Sequence, residues 1–309
     1  MCETRPAARI GDTGSVNDAT QVVYQGEPGA FSEEAVIGFF GDARERAAVP
    51  TWRAVFEAVA DGFAERGVIA IESSLAGTIR ETYDLLGEFY ERGLRIVGEV
   101  TVPVRLALLG LPGQGIEGIE RVYSHGQALV QADAFLRSRP WQVMTTYNTA
   151  GAARMIAERD ERAAAAVASP RVAALYGLEI LAPDIQAGDD NRTRFAVLAR
   201  SGANDERPTG EAAAPSGDDP LVRHRTTLVF AVRNVPGSLH RCLGVFAARG
   251  VNLSSLESRP ARRARWEYVF WVDVDAAVDD PSCAAALDDL RAETEMVRVL
   301  GSYPRARED

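Results

Sequence analysis

The chain contains no lysine, only three cysteines and no long apolar run. All 34 basic side chains are therefore arginine, whose guanidinium cannot form a Schiff base, so catalysis through a lysine imine is excluded. A genome-wide bias toward arginine and alanine codons would give the same composition. Cys2, Cys242 and Cys283 lie far apart with no histidine at metal-ligand spacing. We therefore expect no disulfide framework, no metal site and a cytoplasmic setting.

Charge and hydropathy exclude further classes of protein. The net charge of −10 argues against nucleic-acid binding, which needs a clustered basic surface, although a small anionic substrate remains possible where arginines converge. No apolar run reaches the roughly 18 residues of a membrane-spanning helix. The N-terminus also lacks a basic segment followed by an apolar one. The sequence therefore predicts a protein that neither spans a membrane nor is secreted.

Composition along the chain predicts a leader, two folded regions and a linker. Residues 1–20 lack hydrophobic periodicity and are expected to be disordered. Short β-like runs alternate with helical stretches over 21–200, which is typical of α/β sheets flanked by helices. Residues 201–224 are rich in Gly, Pro, Asp, Glu, Ala and Ser, as flexible linkers are. The order strand, helix, strand, strand, helix, strand over 225–304 predicts a ferredoxin-like βαββαβ domain.

Two motifs are better explained without catalysis or cofactor binding. Gly113, Gly115 and Gly118 have the GxGxxG spacing of dinucleotide-binding loops, but a short β-like run follows them where that loop needs a helix. Ser124 and His125 are adjacent on a predicted strand, so their side chains point to opposite faces and cannot form a nucleophile–base pair. We therefore expect a surface loop and no hydrolase triad.

Five segments place small polar residues at turns between strands and helices, where binding clefts are commonly lined. They are residues 24–32, 71–78, 124–131, 148–150 and 191–195. Taken singly, each is explained by helix capping or turn formation. As an ordered set spanning roughly 22–198, however, they resemble the motif series of prephenate dehydratases, with Thr193-Arg194-Phe195 as a characteristic element.

The C-terminal region carries an independent resemblance. Gly237-Ser238-Leu239 followed by Glu257-Ser258-Arg259-Pro260 is similar to the phenylalanine-binding signatures of ACT domains fused to this enzyme. The resemblance implies that phenylalanine binds at an interface between two ACT domains, and therefore a homodimer or homotetramer. The expected effector-binding residues are Asn234, Val235, Pro236, Gly237, Ser238, Leu239, Glu257, Ser258, Arg259 and Pro260. No long helical segment precedes Val22, so a fused chorismate mutase module is not expected.

The resemblance also implies an architecture and a reaction. The catalytic region should have two lobes like type II periplasmic binding proteins, lobe one over 21–100 and 182–200 and lobe two over 101–181. Their cleft would convert prephenate to phenylpyruvate with loss of carbon dioxide and water, without a metal or organic cofactor. Aromatisation would supply the driving force, leaving the protein to donate a hydrogen bond to the departing hydroxyl and to orient the carboxylates.

Roles for individual residues follow from the same resemblance. We expect Thr193 to donate a hydrogen bond to the leaving hydroxyl and Glu72 to relay a proton, with Ser73 and Ser74 holding Glu72 or the substrate. Arg194 should face away from Thr193 on an extended strand, and either organises the sheet or reaches the substrate. The remaining expected substrate contacts are Ser124, Gln127, Gln131, Asn148, Thr149 and Phe195.

Several positions depart from the family pattern and leave alternatives open. Ser73, Asn148, Gly126, Ala132 and Ser238 stand where the family usually has Asn, Ser, Pro, Cys and Ala. These changes bear on substrate preference and effector strength more than on the reaction class. Arogenate dehydratase and a prephenate decarboxylase that does not aromatise its product are therefore alternatives. A non-catalytic amino-acid sensor is the alternative from another class.

Overall fold

The computed structural model of the protein describes residues 20–188, 190–202, 223–260 and 268–306. The predicted leader and most of the predicted linker lie outside these ranges. Among the described residues, the helices are all too short or too polar to cross a membrane.

Lobe one is built on a mixed sheet in the order β2-β1-β3-β11-β5, with β4 paired to β3. Its elements are β1 (Thr20–Gln25), α1 (Phe31–Phe40), β2 (Arg46–Val49), α2 (Trp52–Ala60), β3 (Ala64–Ser73), β4 (Gly77–Thr78), α3 (Arg80–Phe89), β5 (Leu94–Pro103) and, after lobe two, β11 (Arg192–Arg200). The apolar run Val68–Ile71 of β3 is buried on both faces, since helices cover both sides of the sheet.

Lobe two is an insertion between β5 and β11, with sheet order β10-β6-β9-β7-β8. Its elements are β6 (Ala107–Gly110), β7 (Arg121–His125), α4 (Gly126–Gln131), α5 (Asp133–Leu136), β8 (Gln142–Thr146), α6 (Thr149–Glu158), β9 (Ala164–Ala168), α7 (Arg171–Tyr176) and β10 (Glu179–Ala182). The chain crosses between the lobes twice, and the Val104 amide donates to the Asn191 carbonyl at 2.7 Å where the two crossings meet.

The C-terminal domain has the predicted βαββαβ order, with a four-stranded antiparallel sheet in the order β13-β14-β12-β15. Its elements are β12 (His224–Ala231), α8 (Ser238–Ala247), β13 (Leu253–Pro260), β14 (Tyr268–Val274), α9 (Pro281–Glu293) and β15 (Met296–Pro304). One face of the sheet packs under α8 and α9 through residues such as Phe230 and Val272.

The other face of this sheet packs directly on lobe one. Val229, Trp271 and Tyr303 belong to the same apolar core as Tyr83 of α3 and Ile96 of β5. The Tyr83 and Trp271 rings meet edge to face with centroids 5.0 Å apart. The C-terminal sheet and the lobe-one sheet therefore form one continuous packed unit.

Candidate active site

The two lobes enclose a cleft of about 560 Å³. Thr193 and Phe195 of β11 and Ser73 of β3 contribute to its lobe-one wall. The polar residues that line it are Gln25, Ser32, Ser73, Thr78, His125, Gln127, Gln131, Tyr147, Asn148, Thr149 and Thr193. Aspartate, glutamate and arginine are absent from the described residues of its lining.

Four helices begin at the cleft, the short α4 and three helices of ten residues each. Ala30, Ile79 and Asn148 are the N-cap residues of α1, α3 and α6, and all three line the cavity. Helix N-termini carry unpaired amide donors and the positive end of the helix dipole. The cleft therefore suits an anion held by neutral donors rather than by arginine side chains.

Thr193 and Ser73 lie side by side in the cleft wall. They are paired across the antiparallel β11–β3 ladder, so their side chains project from the same face of the sheet. Phe195, two residues further along β11, pairs with Ala70, and both form part of the same wall. The Thr193 hydroxyl makes no hydrogen bond to another described residue, so it is available to a bound molecule.

Glu72 does not face this cleft, because successive side chains of a strand point to opposite faces. Its carboxylate accepts hydrogen bonds from Arg194 Nε at 3.1 Å and Nη2 at 2.9 Å, on the side of the sheet that packs against the C-terminal domain. The prediction that Glu72 relays a proton to the substrate is therefore wrong. Arg194 faces away from Thr193, as expected. Of the two roles considered for Arg194, its position favours organisation of the sheet over contact with the substrate.

Two predicted serine contacts also lie outside the cleft lining. The Ser124 side chain is fully buried, and its hydroxyl donates to the Val167 carbonyl at 2.6 Å within the lobe-two sheet. The Ser74 hydroxyl donates to the Asp190 carbonyl and accepts from the Arg192 amide at 3.0 Å. Ser74 thus fixes the turn that leads into β11, whereas Ser124 ties β7 to β9.

Of the residues expected to contact substrate, the second lobe contributes Gln127, Gln131, Asn148 and Thr149 to the lining of the cleft. Asn148 Oδ1 accepts from the Gly151 amide at 3.0 Å and caps α6. His125 also lines the cleft. In the sequence, its only recognisable pattern is its position next to Ser124.

Other lining residues that sequence reasoning missed are Gln25, Ser32, Thr78 and Tyr147. The first three lie inside the five polar segments, and Tyr147 directly precedes one of them. Position in these segments was therefore the available signal, but the sequence alone could not decide which side chains face inward.

Polar contacts beside the cleft join the two lobes. Glu27 of lobe one accepts from the Tyr147 hydroxyl at 3.0 Å and from Arg154 at 3.1 Å, both in lobe two. The Tyr176 hydroxyl donates to the Pro28 carbonyl at 2.8 Å, and burial raises the Tyr176 pKa to about 12. Ser169 of lobe two donates to the Glu34 carboxylate.

The predicted effector segments lie at one end of the C-terminal sheet. Gly237 adopts a left-handed conformation, with φ of 83°, as the N-cap of α8. Ala231 of β12 and Arg259 of β13 both pair with Val269 of β14, so the chain leaves β12 beside the end of β13. The described part of the sheet leaves β13 as an edge strand. Arg259 also donates to Asp84 of α3 at 3.0 Å.

The fold and cleft define a two-lobed α/β region with a polar cleft between its lobes, joined to a ferredoxin-like βαββαβ domain. The family model described as prephenate dehydratase matches residues 22–203, and that of the ACT domain matches 226–292. The chain therefore belongs to the prephenate dehydratase family, a family of carbon–oxygen lyases. The resemblance and the fold class predicted from sequence are confirmed.

Known relatives agree with this assignment. The chain is 37% identical over 294 residues to the bifunctional chorismate mutase/prephenate dehydratase of Aquifex aeolicus, covering 94% of this chain and 75% of that one. It is 40% identical over 305 residues to arogenate dehydratase/prephenate dehydratase 2 of Arabidopsis thaliana, with the same 94% and 75% coverage.

Solved structures show the same fold. Prephenate dehydratase from Arthrobacter aurescens in complex with L-Phe has a TM-score of 0.80 at 32% identity, covering 92% of this chain and 90% of that one. A protein described as a novel type of quorum quenching acylase has a TM-score of 0.79 at 35% identity, covering 92% and 97%. The fold thus occurs in proteins that are described as having different activities.

Proposed function

We propose that the chain converts prephenate to phenylpyruvate, and that phenylalanine regulates it through the ACT domain. The observation that carries the proposal is the position of Thr193. Thr193 lines the cleft between the lobes, beside Ser73 and among the N-termini of three ten-residue helices. This arrangement offers a hydrogen-bond donor to a leaving hydroxyl and amide donors to carboxylates.

The reaction needs little chemistry from the protein. The ring carboxylate leaves as carbon dioxide, the electrons of its bond to the ring complete the aromatic system, and the ring hydroxyl departs. One proton is consumed, so hydroxide is released as water. Thr193 stabilises the departing oxygen by donating a hydrogen bond to it. Since Glu72 lies outside the cleft, the proton comes from water or from His125, whose imidazole lines it.

The lining of the cleft favours prephenate over arogenate. Prephenate carries two carboxylates and a ketone, whereas arogenate carries an ammonium group in place of the ketone. An ammonium ion has no carboxylate counterion among the described lining residues, and it would face the positive ends of helix dipoles. At about 0.5 kcal/mol for each of three helix ends, this adds up to a preference of roughly tenfold.

The test compares the two substrates directly. Phenylpyruvate is recognised by its absorbance in alkali, and turnover of arogenate is followed by phenylalanine formation. We expect kcat/KM to be at least about tenfold higher for prephenate. Equal or better turnover of arogenate would refute the substrate assignment. A non-aromatic product would identify the decarboxylase alternative, and the absence of turnover with either substrate would favour the amino-acid sensor.

Acylase activity is a second candidate function, because the chain is 35% identical to a protein described as a quorum quenching acylase. Acyl transfer by a serine requires a hydroxyl paired with a base. Ser124 is buried and donates to a carbonyl, so it cannot form such a pair with His125. An assay for hydrolysis of an acyl amide, alongside the prephenate assay, distinguishes the two activities.

The regulatory part of the proposal is supported by the two effector segments at one end of the sheet and by the edge strand β13. A second copy could complete the site there, giving a homodimer or a homotetramer. The relative from Arthrobacter aurescens has been crystallised with L-Phe. Calorimetric titration with phenylalanine, combined with light scattering, tests this part. Absence of binding would refute it.

A further inference from the structure

A cluster of charged side chains lies behind Thr193, on the opposite face of β11 from the cleft. It borders a polar cavity of about 230 Å³ between lobe one and the ACT domain. Its members are Glu72, Glu99 and Arg194 from the catalytic region and Arg225 and Asp273 from the ACT domain. The cluster therefore connects the regulatory sheet with the strand that carries Thr193.

Arg194 is the centre of this cluster. Its Nη2 atom lies 2.7 Å from Asp273 Oδ2, and its Nη1 atom lies 3.2 Å from Glu99 Oε2. Together with the two bonds to Glu72, these contacts engage all three nitrogens of the guanidinium, whose planar fork fixes the angle between its partners. The side chain is 12% exposed, so water screens these contacts little.

Asp273 is itself held rigidly by the ACT domain. The side chain is 3% exposed, and Oδ1 accepts a hydrogen bond from the Thr227 hydroxyl at 2.6 Å. The Thr227 hydroxyl in turn lies 2.7 Å from the Tyr303 hydroxyl. The carboxylate is thus fixed to three adjacent strands, β12, β14 and β15. Arg225 reinforces the contact by donating to Glu99 at 2.6 Å.

The backbone pairing around Arg194 makes the side-chain contacts of this residue important for the position of β11. The β11–β3 ladder has a register shift between the Arg194–Glu72 and Phe195–Ala70 pairs, with Ile71 of β3 as the extra residue, whereas β11 keeps a regular register with β5 from Arg192 to Val197. Such bulges interrupt regular backbone pairing and redirect neighbouring side chains. On its β3 side, β11 is therefore held at this point by the Arg194–Glu72 side-chain contacts as well as by the backbone ladder.

We propose that Asp273, a residue of the ACT domain, is a positioning residue for the reaction, because through Arg194 it holds β11 so that the Thr193 hydroxyl faces the cleft. The inference rests on the proposed function of Thr193. It also gives the regulatory domain a direct route to the catalytic strand. A shift of the ACT sheet would move Asp273, then Arg194, and then the adjacent Thr193.

The first test is steady-state kinetics of Asp273→Asn with prephenate. The asparagine keeps the shape of the side chain but loses the negative charge. We expect kcat to fall about tenfold or more, as small misplacements of a catalytic group do, while KM stays within about twofold. Glu91→Gln is the matched control, since it breaks another ion pair between the domains, with Arg298, beside the opposite end of β11 from Thr193. Its kcat should equal that of the wild type.

A double-mutant cycle separates positioning from general destabilisation. In a Thr193→Val background, Asp273→Asn should lower the residual kcat by less than about twofold, because the group that it positions is already gone. Equal fold-losses in both backgrounds would overturn the proposal, as would an unchanged kcat in the single variant.

Arg194→Lys provides the same cycle if Asp273→Asn does not fold. Lysine keeps the positive charge but cannot hold three partners in a fixed plane. An unchanged kcat, or an additive cycle with Thr193→Val, would overturn the proposal here too. Failure of the wild type to turn over prephenate would refute the proposed function itself, whereas normal turnover with an additive cycle overturns this inference alone.

Discussion

Gly301 allows the ACT-domain sheet and the lobe-one sheet to approach each other backbone to backbone. It lies in β15, and a Cβ atom placed on it would lie 2.1 Å from the Ile96 carbonyl oxygen and 2.9 Å from the Ile96 carbonyl carbon. These are main-chain atoms of β5, so no side-chain rotation can relieve the clash. We predict that Gly301→Ala forces the two sheets apart.

The cost follows from the geometry. Restoring an ordinary contact requires a displacement of about 1 Å within a core where Leu300, Tyr303 and Ile96 are all almost fully buried. Overpacking of this kind costs about 1–3 kcal/mol. We expect the free energy of unfolding to fall by at least that much, since this backbone cannot adjust locally.

Urea denaturation followed by circular dichroism measures the effect. Gly244→Ala is the control, because Gly244 lies within α8 and a Cβ there meets no atom within 4 Å. That substitution should stabilise the protein by about 0.5–1 kcal/mol. If Gly301→Ala were as stable as the wild type, the conclusion that β15 packs closely on β5 would be wrong.

Two further substitutions test local features. Ser124→Ala should destabilise the protein by about 1–3 kcal/mol in urea denaturation, since it leaves a buried carbonyl unpaired, while kcat and KM for prephenate stay unchanged. A tenfold loss of activity would show that Ser124 acts in the active site. Burial raises the pKa of Glu34, opposed by its hydrogen bond with Ser169. When the pKa of a carboxyl group is raised in the folded state, the protein loses stability as the pH rises through that pKa. Glu34→Gln should therefore be thermally more stable than the wild type at high pH, and this advantage should disappear in acid. A difference that does not vary with pH would refute this.

Much of the fold could be predicted from local patterns. The buried run Val68–Ile71, the alternation of strands and helices, and the order of the six C-terminal elements are all encoded in neighbouring residues. The stretch from Val102 to Leu109, by contrast, is divided between two strands, β5 and β6, by a crossing between the lobes. A continuous apolar stretch does not reveal where a chain leaves one sheet for another.

The active site was predicted in part. Strand alternation correctly placed Arg194 opposite Thr193, and the same rule applied to Glu72 and Ser73 would have removed Glu72 from the cleft. The cluster around Arg194 could not be foreseen. Asp273 and Arg225 reach it only because the two sheets pack face to face, and no local sequence signal records that contact.

The most direct test of the account is the kcat of a Thr193 series with prephenate. Thr193→Ser keeps the hydroxyl and should retain activity within about tenfold, whereas the nearly isosteric Thr193→Val should lose roughly 10²- to 10³-fold. Circular dichroism would verify that both variants fold. A Thr193→Val enzyme that forms phenylpyruvate at the wild-type rate would contradict the claim that this hydroxyl assists the departure of the leaving group.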